Sequence, residues 1–221
     1  MIFWLKKYYF QSLIKLLIIL SPTTLFDKIN QLNWYKNTLR QWVDDQHFAE
    51  KNTVLEVGCA TGTLTSYLAK SACIPTGIDL SSQMIKLAKI NDNNIDFSVA
   101  NVFDLPFETD YFDAVIAASL INIVPNKDKA IDELSRTCKK GGVLTILVPS
   151  AKFNDQDLLA LQTSLGESGF SMAALEAWHR LAPKMTTSDV LSLFKQAGLK
   201  EITTKHYLQG MVFSVSATKP F

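Results

Sequence analysis

The stretch Thr53–Asp79 constrains the fold of this chain more than any other part of it. It begins with a short apolar run, which is followed by a turn of small residues and an amphipathic helix. A second apolar strand follows, and its last residue is an aspartate. The first apolar run is too short for a helix and is typical of a buried parallel strand. A strand, turn, helix and strand in this order predict half of a nucleotide-binding α/β unit.

The spacing of the small residues and the carboxylate indicates what kind of ligand this unit binds. Gly58, Ala60 and Gly62 recur in steps of two, whereas a dinucleotide fingerprint needs G-x-G-x-x-G. Small residues let the backbone approach a ligand closely, and the first N–H groups of the following helix are free to meet polar atoms. Asp79 lies about twenty residues further on, where a carboxylate can accept hydrogen bonds from both hydroxyls of a ribose. The predicted ligand is a nucleoside.

The segment from Glu56 to Gly62 resembles motif I (E/D-x-G-x-G-x-G) of the class I S-adenosylmethionine-dependent methyltransferases, with Ala60 in place of a glycine. A turn of this kind can also be purely structural. Three further segments resemble blocks of that family and follow in the expected order: NVFDLPF at 101–107, FDAVI at 112–116 and AIDELSRTCKKGGVLTIL at 130–147. The chain looks most like the group that includes enzymes of ubiquinone and menaquinone biosynthesis.

The resemblance implies S-adenosylmethionine as the cofactor and a set of residues that would bind it. Glu56 and the loop backbone would hold the methionine end, Asp79 the ribose, and Val102 the adenine. The family usually has an aspartate where Asn101 stands, but an amide oxygen can still accept a hydrogen bond. The predicted cofactor-binding residues are Glu56, Gly58, Cys59, Ala60, Gly62, Asp79, Leu80, Met84, Asn101 and Val102.

The resemblance also implies the fold. We expect an α/β, Rossmann-like seven-stranded sheet of order 3-2-1-4-5-7-6 with the last strand antiparallel, spanning residues 24–221. N-terminal helices precede it, and a helical cap at about 151–187 follows strand five. Apolar periodicity predicts one continuous helix from Thr24 to Asp45 and places strand five at Val143–Val148.

Acceptor specificity is expected to come from the helix before motif I and from the cap. Trp34, Tyr35, Asn122 and Trp178 are the predicted acceptor-binding residues, although aromatic residues that merely anchor a helix to the sheet would give the same pattern. His179 is the preferred general base, needed only if the acceptor must lose a proton, and a surface or packing role is the alternative. Asp113 is expected to be structural. No metal ligands are predicted.

Residues 1–23 form a separate amphipathic segment. Lys6, Lys7, Gln11 and Lys15 recur on one helical face of an otherwise apolar stretch, and three lysines disfavour a spanning helix. Two alternatives remain, and both can hold: a helix in peripheral contact with a membrane through residues 1–20, with Trp4, Tyr8 and Tyr9 at the headgroups, or a lid on the domain. The predicted location is the cytoplasm, with association at the inner face of a membrane as an option.

Charge and cysteine content narrow the classes of function. The 221 residues carry a net charge of +1 without a basic stripe, which argues against a nucleic acid partner. Three scattered cysteines favour a reducing compartment. The resemblance of the four motif blocks, with the aromatic N-terminal and cap segments, implies a methyltransferase that acts on a small apolar or amphipathic molecule. The alternative is a membrane-associated scaffold or assembly protein that binds the cofactor without catalysis, and the sequence leaves the oligomeric state open.

Overall fold

Seven strands, numbered in chain order, form one sheet in the computed structural model. They are β1 (Thr53–Val57), β2 (Ile74–Asp79), β3 (Asp96–Val99), β4 (Phe112–Ala118), β5 (Cys138–Pro149), β6 (Lys200–Tyr207) and β7 (Val212–Thr218). Their order is β3-β2-β1-β4-β5-β7-β6, which confirms the predicted topology. β1 to β5 are parallel, and β7 runs antiparallel between β5 and β6. The carboxyl ends of β1 to β4 therefore lie along one edge of the sheet.

The structure describes the backbone of residues 2–221 and the side chains of residues 9–221 except positions 18 and 22. Within these limits the helices are α1 (Ile2–Leu20), α2 (Pro22–Asn30), α3 (Asn33–Asp44), α4 (Thr63–Lys70), α5 (Ser82–Asn91), α6 (Lys127–Thr137), α7 (Asp155–Leu165), α8 (Gly169–Leu181) and α9 (Thr187–Gln196). Ser81 caps α5, since its hydroxyl accepts a hydrogen bond from the Met84 N–H.

Alternate side chains of the central strands face two separate apolar layers. Leu55 and Val57 pack with α6 and α9 on one face of the sheet, while Val54 packs with α3 and α4 on the other. Because the side chains of a strand alternate, Glu56 shares the face of Val54. The acidic residue of the first strand is therefore directed toward α3 and α4.

The predicted continuous helix at 24–45 is wrong, because α2 ends at Asn30 and α3 begins at Asn33. Leu32 between them is extended, with φ −67° and ψ 133°. The break lets Asn30 reach the loop after β1 while α3 turns Trp34 and Trp42 inward. The helix boundary is thus set by a tertiary contact.

The predicted start of strand five at Val143 is also wrong, because β5 begins at Cys138. Cys138 pairs with Phe112 across a bulge before Val143 resumes regular pairing with Ala114. A Cβ at Gly142 would lie 2.8 Å from the backbone oxygen of Asp113, so this position needs a glycine for the close approach. The expected structural role of Asp113 is confirmed at this end of the sheet, where it accepts from Thr53 N–H at 2.8 Å and pairs with Lys139 at 2.7 Å.

The N-terminal helices and the cap share a third apolar core. Ile14 of α1, Leu25 of α2 and Trp34 of α3 are buried with Phe153 and the α7 and α8 side chains. Helix α1 packs along α8, as expected for the lid alternative. The predicted headgroup positions Trp4 and Tyr8 lie outside the described side chains. Among the described residues, no helix is both long and apolar enough to span a bilayer.

Candidate cofactor and acceptor site

The loop after β1 takes a conformation that small residues favour. Gly58, Ala60 and Gly62 have positive φ angles of 81°, 47° and 78°, in the left-handed region that costs a larger residue energy. A Cβ at Gly62 would lie 2.6 Å from the ring of Phe97. Cys59 turns its side chain into a small core with Phe97, and its thiol donates to the Ala60 carbonyl at 3.8 Å. Gly62 precedes α4 without a side-chain cap.

Asp79 lies against this loop at the end of β2. Its Oδ2 accepts a hydrogen bond from the Ala60 N–H at 3.0 Å, and its Oδ1 accepts from the Ser81 N–H at 2.9 Å. The side chain is half-buried. The structure therefore brings together the carboxylate and the small-residue loop that the sequence analysis paired, 19 residues apart in the chain.

Glu56 is buried beneath the loop, with 4% of its surface exposed. The Thr65 hydroxyl of α4 donates to its Oε2 at 2.5 Å. Burial raises the pKa of Glu56 to about 7, and the charge of Asp79 adds to this, although the Thr65 hydrogen bond acts in the opposite direction. The charge of Asp79 therefore disfavours ionisation of the buried Glu56.

The residues predicted to surround adenine line the same edge of the sheet. Leu80 follows Asp79 and is 71% exposed, whereas Met84 on α5 is buried. Asn101 is exposed and its amide oxygen accepts from the Phe103 N–H at 3.0 Å, which forms a local turn. Val102 lies within that turn and buries its side chain in the core. The amide oxygen of Asn101 is thus already engaged by the backbone.

A clamp that the sequence analysis did not identify holds the segment after this turn. Glu133 of α6 accepts from the Leu105 N–H at 2.7 Å, and Arg136 donates to the carbonyl oxygens of Leu105 and Phe107 at 3.0 and 2.8 Å. The two side chains also pair with each other at 2.8 Å. Their spacing of three residues on a helix was the available signal. The clamp gives a physical reason for two motif blocks to occur together, since the helix of one holds the loop of the other.

Three of the four predicted acceptor residues form one aromatic cluster. Trp34 stacks on Trp178 with ring centroids 5.7 Å apart, and Tyr35 meets Trp178 edge to face at 5.3 Å. The pKa of Tyr35 is raised, first by burial and then by the charge of Glu56. Tyr35 also packs against the core cluster that contains Val54, on the face of the sheet to which Glu56 is directed. Trp42, by contrast, is fully buried under the sheet with its indole N–H donating to Thr145.

Asn122 follows β4 at the same edge of the sheet. Its side-chain N–H donates to the Pro183 carbonyl at 3.0 Å, which connects the β4 turn to the part of the cap that follows α8. Its Oδ1 is buried and has no hydrogen-bond partner among the described residues. Leu120, two residues earlier, packs over Gly58. The turn therefore lies next to the cofactor loop and offers one free acceptor atom.

Comparisons with known proteins agree with this geometry. The family model for a methyltransferase domain matches residues 55–146. A demethylmenaquinone methyltransferase of Clavibacter sepedonicus is 31% identical over 56% of this chain and 56% of that protein, so the match spans little more than half of either. A ubiquinone biosynthesis O-methyltransferase of Coxiella burnetii is 25% identical over 81% of this chain and 78% of the relative. Residues 55–146 therefore match a methyltransferase domain, and the chain is similar to class I S-adenosylmethionine-dependent methyltransferases.

Solved structures show the same fold at low identity. A methyltransferase from Methanosarcina mazei, described as S-adenosylmethionine-dependent, aligns with a TM-score of 0.62 at 18% identity, covering 81% of this chain and 97% of that one. The YcgJ protein of Bacillus subtilis aligns with a TM-score of 0.63 at 14% identity over 84% and 99%. The cofactor of this methyltransferase family is S-adenosylmethionine. The half-buried carboxylate of Asp79 fits the ribose of this cofactor, and the positive-φ loop beside it fits the methionine end.

His179 lies inside the cap of this methyltransferase. Its Nε2 is 3.1 Å from Asp155 Oδ1, and its Nδ1 is 3.3 Å from the Lys184 ammonium. Burial lowers the pKa of His179, Lys184 lowers it further, and Asp155 opposes this. Phe153 packs edge to face on the imidazole at 5.4 Å. These contacts belong to the cap rather than to the loop after β1.

A buried polar link joins the N-terminal helices to the cofactor loop. Asn30 donates to the hydroxyl of Thr61 at 3.1 Å, and Asn91 donates to the Thr61 carbonyl at 3.1 Å. Thr61 is fully buried and lies between Ala60 and Gly62. The sequence analysis missed this link because an asparagine at the end of a helix gives no sign of its long-range partner.

Proposed function

We propose that this chain transfers a methyl group from S-adenosylmethionine to a small apolar or amphipathic acceptor whose reactive part is a hydroxylated aromatic ring. The observation that carries the proposal is the aromatic cluster of Trp34, Tyr35 and Trp178, in which Tyr35 packs on the sheet face to which Glu56 is directed. Aromatic faces stack favourably on a planar ring. The names of the two relatives described above, which act in menaquinone and ubiquinone chemistry, support an acceptor of the quinone type.

The roles of the residues follow from their placement. When bound, S-adenosylmethionine supplies a methyl group already activated by the adjacent sulfonium charge. The chain's contribution is alignment, which can account for a large part of a rate enhancement. Asp79 would accept hydrogen bonds from the ribose, and Glu56 with the loop backbone would hold the charged methionine end. Asn122 Oδ1 would accept a hydrogen bond from a hydroxyl of the acceptor.

Removal of a proton from that hydroxyl is the step for which His179 is proposed. An imidazole with a lowered pKa is neutral near pH 7 and can take a proton. Its contacts with Asp155 and Lys184 support a role in holding the cap equally well. His179→Gln separates the two: a general base should lose at least about a hundredfold in kcat, whereas a cap residue should leave kcat within a few fold and lower the melting temperature.

We place this activity in the cytoplasm, with peripheral membrane contact through residues 1–20. The three cysteines are free and buried, which fits a reducing compartment. The scaffold alternative is not favoured by the comparisons. It would be supported by a chain that binds the cofactor and fails to methylate any compound in a lipid or quinone extract.

The test uses labelled S-adenosylmethionine with a panel of ring acceptors that carry one, two or no free hydroxyl groups. Transfer to the hydroxylated rings alone is expected. Tyr35→Leu should raise the KM for the ring more than Tyr35→Phe, because only the first removes the aromatic face. Tyr111→Phe, at an exposed tyrosine next to β4, is the matched control. Equal turnover of rings and aliphatic alcohols would overturn the proposed acceptor class.

A further inference from the structure

The N-terminal helices expose an apolar face. Four side chains of α1 and one of α2 are largely solvent-exposed, with exposed fractions from 47% to 77%: Tyr9, Leu16, Ile19, Leu20 and Phe26. On the opposite side of α1, Ile14 is buried and Gln11 donates to the carboxylate of Glu176 on α8 at 3.2 Å. The helix thus directs a polar group toward the protein and large apolar groups toward solvent, the reverse of an ordinary surface helix.

Charge distinguishes the kinds of surface that could cover this face. Residues 2–30 contain four lysines, Lys6, Lys7, Lys15 and Lys28, and one acidic residue, Asp27. Of these, Lys15 and Lys28 are exposed in the described part of the chain, and Asp27 accepts a hydrogen bond from Gln31. Apolar side chains flanked by lysines are the pattern of a helix that lies in the headgroup region of an anionic bilayer.

We propose that this face of α1 and α2 docks on a bilayer that contains anionic phospholipid. Leu16, Ile19, Leu20 and Phe26 enter the boundary between headgroups and acyl chains, and Lys15 and Lys28 meet lipid phosphates. The proposal rests on the proposed function, because docking would bring the aromatic cluster close to an acceptor dissolved in the membrane. Binding to vesicles can be measured without any methyl transfer.

Two contacts connect the docking face with the site. Helix α1 packs along α8, which carries Trp178 of the aromatic cluster. Helix α2 ends at Asn30, whose side chain is hydrogen-bonded to Thr61 in the cofactor loop. An acceptor with a long apolar tail can therefore place its ring in the cluster while its tail stays with the lipid. Docking should lower the KM for such an acceptor and leave the KM for a tail-free ring unchanged.

The experiment is flotation of the full chain with two kinds of vesicle, phosphatidylcholine alone and phosphatidylcholine with phosphatidylglycerol in equal parts. The test variant is Leu16→Gln with Ile19→Gln. The matched control is Ile74→Gln with Leu159→Gln, which removes side chains of similar exposure from β2 and α7. A third variant, Lys15→Gln with Lys28→Gln, tests charge. Circular dichroism melting shows whether each variant is folded.

We expect the wild type and the control to float with the mixed vesicles. The α1 variant should lose at least about tenfold in partition, since transfer of one such side chain is worth about that factor. The lysine variant should lose its preference for phosphatidylglycerol, and added salt should have the same effect. The proposal is overturned if the wild type does not float, if the α1 variant floats equally well, or if that variant instead turns a dimer into a monomer. Turnover of a tail-free acceptor in buffer tests the proposed function separately.

Discussion

Replacing Glu56 with glutamine removes a buried ionisable group whose pKa lies well above its ordinary value. The carboxyl has a pKa of about 7 in the folded chain, against an ordinary value of 4.5. Between these two values the folded state keeps its proton while the unfolded state has released it. The folded state therefore binds more protons, and the free energy of unfolding falls as the pH rises.

The difference between the two pKa values corresponds to about 3 kcal/mol. Glu56→Gln has no proton to lose, and its amide oxygen can still accept from Thr65. The variant should match the wild type near pH 5 and exceed its stability by up to about 3 kcal/mol at pH 8. For a chain of this length, that is a rise in melting temperature of roughly 6 to 12 °C.

Thermal unfolding of both proteins at pH 5, 6, 7 and 8, without cofactor, measures this difference. All other titrating groups are shared and cancel in the comparison. Glu50→Gln, at an exposed carboxylate, is the control and should follow the wild type at every pH. A Glu56→Gln variant whose advantage stays constant across the pH range, or whose stability drops at pH 8, would refute the argument that a buried carboxyl is being forced to ionise.

Three further predictions concern packing and the cap. Gly62→Ala should destabilise the chain by about 1–3 kcal/mol more than Gly166→Ala in urea unfolding. Both positions have positive φ, but only a Cβ at Gly62 would meet Phe97. Equal losses of unfolding free energy in the two variants would contradict this contact. Arg136→Gln should lower the free energy of unfolding by about 2 kcal/mol and speed hydrogen exchange at the loop amides that its helix anchors. Unchanged exchange would show that Arg136 does not hold this loop. Because the pKa of His179 is lowered, wild-type stability should fall below about pH 6.5, and His179→Gln should flatten that fall; parallel curves would show that His179 titrates normally.

Much of the fold was predictable because its signals are local. Strands buried on both faces leave continuous apolar runs, and the glycine turn after β1 restricts what can follow it. The break at Leu32 was not predictable, since neither glycine nor proline marks it and the contact between Asn30 and Thr61 decides where α2 ends. The start of β5 was missed for a similar reason: Lys139–Gly142 has the composition of a turn, but it forms the bulge between the Cys138–Phe112 and Val143–Ala114 pairs.

The candidate site divides in the same way. Asp79 could be assigned from its position at the end of a strand, and the structure places it on the loop as expected. The sequence could not assign roles to Thr65, Thr61 and Glu133. Their hydrogen-bond partners depend on how α4, α2 and α6 pack against the rest of the domain. Clustering of Trp34 with Trp178 was expected only through the resemblance, since nothing in the spacing of residues so far apart in the chain brings α3 and α8 together.

Isothermal titration of S-adenosylmethionine into the wild type and into Asp79→Asn tests the central claim most directly. The account predicts binding by the wild type and an affinity lower by roughly ten- to a hundredfold in the variant, because charge-assisted hydrogen bonds to the ribose are lost. Asp92→Asn, just after α5, should bind like the wild type. A wild type that shows no binding, or an Asp79→Asn variant that binds equally well, would contradict the claim that this carboxylate and the loop beside it hold the cofactor.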